Sequence, residues 1–176
     1  MRIALLGGTG DIGRGLALRW GRDTEHELLI GSRDPERARE QAEAYTSELA
    51  DRGADADFKG FENAMAADRA DVVILAVPAY HLVDTLEAIA GRLDPETILV
   101  TPADGMQRDE TGFHYNQPGA GSVAALAAEA APDEVPLVAA FHNLPAGGLA
   151  DLDRSIERDA LVSRDDAVAK PIASEL

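Results

Sequence analysis

The 176 residues suit one domain, 1–176, and their 45% hydrophobic but only 5% aromatic content requires a core of Ala, Val, Leu and Ile. A net charge of −16, from 32 acidic against 16 basic residues, argues against nucleic acid as a partner. The lack of cysteine excludes a disulfide framework, a thiolate nucleophile and a cysteine-ligated metal. No apolar run is long enough for a membrane helix, and the opening MRIALLGG is too short and glycine-broken for a signal peptide, so a cytoplasmic location is expected. Only Lys59 and Lys170 are lysines; so acidic and lysine-poor a surface suits concentrated salt, where counterions screen self-repulsion, and predicts halophilic behaviour.

In chain order, strand patterns at 2–6, 27–30, 57–59, 72–77, 97–100 and 137–141 alternate with helical patterns at 12–20, 35–51, 61–67, 80–92 and 123–131. Asp34 followed by Pro35 reads as an N-cap with proline in the first helical position. The alternation implies parallel strands joined by crossover helices, and the continuous runs VVILAV and LVAAF suit strands covered on both faces. The expected fold is therefore α/β, a Rossmann-like doubly wound and mostly parallel sheet with helices on both faces. Residues 101–122, rich in Gly, Pro and polar side chains, read as a long irregular loop, and a short strand at 160–162 precedes a charged tail.

Between the first strand and first helix lies Gly8-Thr9-Gly10-Asp11-Ile12-Gly13, a G-x-G-x-x-G stretch in the strand-to-helix context that gives the pattern meaning. Gly8 is expected to allow the tight turn, Gly10 to admit a pyrophosphate, and Gly13 to let helix and strand pack closely. Phosphate charge would rest on the helix N-terminus; Asp11 would compete for the same dipole and is expected to point away and cap the helix. At the end of the second strand, where an NAD site usually carries an acid, stand Ser32 and Arg33, with Arg37 one helical turn on. A hydroxyl and two guanidinium groups suit a 2′-phosphate, so NADP is favoured over NAD.

Short-chain dehydrogenases need a Tyr-x-x-x-Lys pair, but Tyr45, Tyr80 and Tyr115 are followed four residues on by Leu49, Asp84 and Gly119. By contrast MRIALLGGTGDIGRGLALR, GSR at 31–33, VPAYHLVDTL at 77–86, GFHY at 112–115, AFHNLPA at 140–146 and LADLD at 149–153 resemble the coenzyme F420-dependent NADP oxidoreductases. The resemblance implies hydride transfer between NADP(H) and the deazaflavin coenzyme F420, the two rings stacked in a cleft of a Rossmann domain. It places Thr9, Gly10, Asp11, Ile12, Ser32, Arg33 and Arg37 on the phosphate and adenosine parts, with Gly8 and Gly13 shaping the turn. Ala79, Val83, Met106 and Ala146 would line the rest of the nucleotide site, and Val77, Pro78, His142, Leu144 and Pro145 would flank the rings, the last three on the substrate side.

No catalytic residue and no metal site are assigned, because the reactive atoms belong to the cofactors. His142, just past a buried strand, is more often a structural or ring-packing group than a proton donor. Expected partners are these small molecules, with a homodimer left open. Two features depart from the family: Asp11 stands where asparagine is common, and the chain ends at Leu176 where members continue, so the deazaflavin half is expected to be less complete than the NADP half. The competing expectations are a non-enzymatic NADP-binding sensor or truncated relic, and a related reductase of small imines or carbonyls.

Overall fold

In the computed structural model, which describes residues 1–156 and 159–163, the chain alternates strand and helix along most of its length. The strands are β1 (Arg2–Leu6), β2 (Glu27–Ser32), β3 (Phe58–Glu62), β4 (Val72–Leu75), β5 (Ile98–Thr101), β6 (Met106–Asp109), β7 (Gly112–Tyr115), β8 (Leu137–Ala140) and β9 (Val162–Ser163). The helices are α1 (Asp11–Asp23), α2 (Pro35–Asp51), α3 (Asn63–Ala67), α4 (Ala79–Ile89), α5 (Val123–Ala130) and α6 (Ala146–Ala150), with a turn of 3₁₀ helix at Ala90–Arg92.

Seven strands form one sheet in the order β3-β2-β1-β4-β5-β8-β9, parallel except for β9, which pairs antiparallel with β8. Helices cover both faces, as the alternation of side chains along each strand requires. Ile3 and Leu5 of β1 and Val72 and Ile74 of β4 enter a core beneath α1 and α2, built with Leu16, Trp20, Tyr45 and Leu49. Ala4, Leu6, Val73 and Leu75 face the opposite core, beneath α4 and α5, with Leu82, Leu86, Val123 and Ala127. This is the Rossmann-like doubly wound arrangement. The chain runs outward from β1 to β3, then restarts at β4 on the other side of β1, which puts the topological switch point between β1 and β4.

Three expectations from sequence are corrected. Phe61 and Glu62 finish β3 instead of opening a helix, because they pair in register with Gly31 and Ser32 of β2. Residues 106–115 of the expected irregular loop form an antiparallel hairpin. Its turn is closed by Asp109, whose Oδ1 accepts from Thr111 N at 2.7 Å and Thr111 Oγ1 at 2.6 Å; β6 reads MQRD, which lacks the β-branched and aromatic residues that announce strands. The strand expected at 160–162 is displaced to Val162–Ser163. The charged tail lies outside the described residues. No described helix is long and apolar enough to cross a membrane.

Candidate functional site

The carboxyl ends of β1, β4, β5 and β8 open onto one cleft of about 780 Å³, a size suited to small-molecule ligands. Each strand contributes a short segment: Gly10, Asp11 and Ile12 after β1, residues 76–80 after β4, residues 102–106 after β5, and His142 and Leu144 after β8. Parallel strands deliver their ends to one side of the sheet, so residues distant in sequence meet there.

The turn after β1 is held by its own backbone. Gly8 N donates to Leu5 O at 3.0 Å and Gly10 N to Gly7 O at 2.9 Å. The left-handed position falls on Gly7, at φ 78°, one residue ahead of the glycine expected to make the turn. A Cβ on Gly13 would lie 2.6 Å from both Gly7 O and Gly8 Cα, so this glycine lets the helix close on the turn itself, where the sequence suggested packing on the strand. Gly8 is also packed tight, 2.8 Å from its virtual Cβ to Leu5 O, whereas a Cβ on Gly10 would meet only Gly7 O at 3.3 Å.

Gly10 is the N-cap of α1 and has no side chain to bond the first-turn amides. Asp11 therefore does not cap the helix: it is the first helical residue, exposed, and borders the cleft. Ile12 borders the cleft beside it while packing partly against the core. Beneath the turn, the phenol of Tyr45 donates to Gly8 O at 2.8 Å. Burial pushes the Tyr45 pKa up to about 12, so the phenol remains a hydrogen-bond donor well into the alkaline range.

At the end of β2, Ser32 Oγ accepts from Asp34 N at 3.2 Å. The Asp34 carboxylate accepts from Glu36 N at 3.0 Å and Arg37 N at 3.3 Å, which makes it the N-cap of α2 ahead of Pro35, as the sequence predicts. With Asp34 committed to the backbone, Arg33 and Arg37 are exposed and form no ion pair among the described residues. They follow β2, the strand paired with β1, and do not border the cleft. Gly31 is hemmed in on this side, a Cβ there lying 2.9 Å from Asn63 Oδ1.

Directly beside the glycine turn, Val77, Pro78 and Ala79 line the cleft, with Pro78 as the N-cap of α4. Met106 lines it from the hairpin, and His142 and Leu144 from the segment after β8. Thr9 and Val83 stand next to cleft residues without bordering it, and Ala146 begins α6. Pro145 borders a separate hollow of about 390 Å³ with Gly147, Gly148 and Asp151.

Phe141 turns the chain into this region in the left-handed conformation, φ 66°, unusual for so bulky a residue. Its ring is held edge-on against Trp20, centroids 5.7 Å apart, and is only 5% exposed. The neighbouring His142 has a buried Nδ1 with no hydrogen-bond partner among the described residues. Strain and an unsatisfied buried polar atom in adjacent residues are characteristic of binding sites.

Sequence reasoning missed Pro102, Ala103, Asp104, Gln107, Arg108, Asn116 and Pro118, all of which line the cleft from within the supposed loop, as well as Tyr80 and Leu126. It also missed Tyr45 as the support of the glycine turn. The spacing of Ala38, Ala42, Tyr45 and Leu49 marks the buried face of α2, but nothing in it singles out the hydroxyl's partner.

A family model described as NADP oxidoreductase coenzyme F420-dependent matches residues 2–105. The chain is 36% identical, over all of its own length and 78% of the relative's, to the F420-dependent NADP reductase of Methanocaldococcus jannaschii. It is 37% identical, with the same coverage, to that of Methanothermobacter marburgensis. A crystal structure of a candidate F420-dependent NADP reductase from Arthrobacter sp. FB24 superposes with a TM-score of 0.78 at 26% identity, covering 99% of this chain and 78% of that one. On the match of more than half its length to the family model and its whole-length identity to these reductases, the chain belongs to the coenzyme F420-dependent NADP oxidoreductase family.

Proposed function

We propose that the protein is an oxidoreductase that transfers a hydride between NADP(H) and the deazaflavin coenzyme F420. The observation that carries this reading is the 36–37% identity to F420-dependent NADP reductases across the entire chain. The switch-point cleft gives the two rings a place to meet.

The local geometry fits a dinucleotide. A cradle too tight for any Cβ at Gly13, followed by a helix N-terminus capped by a glycine, suits a pyrophosphate. Gly8 and Thr9 complete that turn, with the Asp11 and Ile12 amides facing the phosphates. Ser32 with the unpaired Arg33 and Arg37 suits a 2′-phosphate. Val77, Pro78, Ala79, Val83, Met106 and Ala146 would line the remainder of the nucleotide site, and His142, Leu144 and Pro145 would flank the second ring. When bound, the two cofactors supply the hydride donor and acceptor; the chain orients their rings and excludes water. No side chain is assigned an acid or base role.

We further propose a cytoplasmic, salt-rich setting for this activity, supported by the acidic, lysine-poor composition. Equal folding and activity at low and multimolar KCl would remove that part of the reading.

The test is to mix the purified protein with NADPH and oxidised F420 and follow the deazaflavin absorbance. Turnover is expected. Thermal stabilisation by NADP without any turnover would replace the enzyme with a binding module, and reduction of a small imine but not F420 would replace the substrate.

A further inference from the structure

The hairpin of β6 and β7 carries an unexplained set of side chains. Its register pairs Met106 with Tyr115 and Arg108 with Phe113, which puts these four on one face. In a folded chain such a face would normally be covered, yet Phe113 is 72% exposed, Tyr115 52% and Met106 47%. The hairpin is joined to the cleft at its base, where the Tyr115 ring packs so closely on Gly105 that a Cβ there would lie 2.6 Å away. Gly105, Met106 and Arg108 all line the cleft wall.

Arg108 is the only lysine or arginine among the described residues that line the cleft. Its guanidinium forms no ion pair among the described residues and lies 5.4 Å over the Phe113 ring, which holds the charge in place without neutralising it. In a chain of net charge −16, an anionic ligand is repelled overall and needs a local cation to enter. The phosphates of the nucleotide already have the α1 N-terminus on the opposite wall, and Arg33 and Arg37 beyond it. Arg108 is the cation left over.

We propose that Arg108 is a substrate-binding residue that pairs with an anionic group on the side chain of the deazaflavin, held at the cleft mouth by the aromatic face of the hairpin. The proposal rests on the functional reading above. Coenzyme F420 carries phosphodiester and carboxylate groups on its side chain, so it presents the required chemistry, whereas the bare deazaflavin riboside has the same ring and no anionic group on its side chain. A guanidinium matches phosphate and carboxylate with paired hydrogen bonds that an ammonium cannot reproduce.

The experiment compares wild type, Arg108→Ala and Arg108→Lys for equilibrium binding of F420 and of the riboside, read by deazaflavin fluorescence in the presence of NADP, with kcat/KM for both measured alongside. Thermal unfolding of each variant reads folding separately. In Arg108→Ala the Kd for F420 is expected to rise roughly tenfold more than that for the riboside. The salt dependence of F420 binding should shrink with it, and Arg108→Lys should recover part of the loss. An equal loss for both ligands would assign Arg108 to the hairpin's structure and overturn the proposal, as would no loss for either. A rise in the NADP dissociation constant instead would assign the cation to the nucleotide and also overturn it. If wild type turns over neither deazaflavin, the functional reading falls and takes this proposal with it; if it turns over both and Arg108→Ala fails to discriminate, only this proposal falls.

Discussion

The Tyr45 phenol, on the buried face of α2, donates a 2.8 Å hydrogen bond to the carbonyl of Gly8, in the middle of the glycine turn. One bond thus ties the helix that begins at the Asp34 cap, beside Arg33 and Arg37, to the turn that faces the cleft. A second link, the 2.8 Å ion pair of Arg14 with Glu48, joins α1 to α2 nearby. Tyr45→Phe keeps the ring and its edge contact with Phe58 but leaves the Gly8 carbonyl unpaired in the interior. The expected cost is about 1–2 kcal/mol of stability. The KM for NADPH should rise with little change in kcat, measured by chemical unfolding and by steady-state kinetics.

Arg33 and Arg37 are free of ion pairs among the described residues, so their removal should touch binding more than folding. The double substitution to Ala is expected to leave the unfolding midpoint nearly unchanged. It should weaken NADP binding on the order of a hundredfold, at about tenfold for each guanidinium removed from the 2′-phosphate, while NAD binding changes little. Titration of both nucleotides against the double variant checks it, and an unchanged preference for NADP would exclude the 2′-phosphate role.

Arg19 anchors the segment that follows His142. Its guanidinium donates to the carbonyls of Leu149 at 2.8 Å, Gly148 at 2.9 Å, Asp151 at 2.7 Å and Arg154 at 3.0 Å. Gly15, one turn earlier on α1, admits Leu149 so closely that a Cβ would come within 2.5 Å of it. Arg19→Ala leaves several carbonyls without their donor and is expected to cost about 2–4 kcal/mol. Arg19→Lys should recover less than half, because a single ammonium cannot reproduce the planar pair of Nε, which donates to Leu149, and Nη2, shared among the carbonyls beside it. Hydrogen exchange should show the destabilisation concentrated in residues 146–154.

The backbone N–H of Arg2, at 2.7 Å, and its guanidinium, at 2.9 Å, hold the Asp71 carboxyl below its ordinary pKa. A carboxyl depressed by folding adds stability that is present above its unfolded value, about 3.9, and is lost as pH falls through the folded value. Asp71→Asn should therefore flatten the decline in stability below about pH 4. Both side chains are substantially exposed, so the cost at neutral pH should stay under about 1 kcal/mol. Unfolding curves across the acid range measure it.

How much of the fold and site is legible from residues alone differs by element. The strands of the central sheet stand out because burial on both faces demands runs such as VVIL and ILVT, and the Asp34-Pro35 cap announces α2 without help from tertiary contacts. The hairpin at 106–115 is hidden because its order comes from an Asp109 turn and cross-strand pairing, with almost no burial to impose a hydrophobic period. Phe61 and Glu62 look helical because α3 starts just after them, and only pairing with β2 makes them strand.

The sequence by itself determined the alternating α/β order, the glycine-rich strand-to-helix turn and the arginine pair just past β2, because local periodicity, backbone sterics and side-chain charge act over a few residues. The tertiary structure decided which glycine takes the left-handed angle, that Asp11 borders the cleft without capping α1, and that Tyr45 supports the turn. It also brought Arg108 and His142 to one cleft from segments more than thirty residues apart. Those outcomes depend on the parallel sheet gathering distant strand ends at a single edge, and no pattern along the chain encodes that meeting.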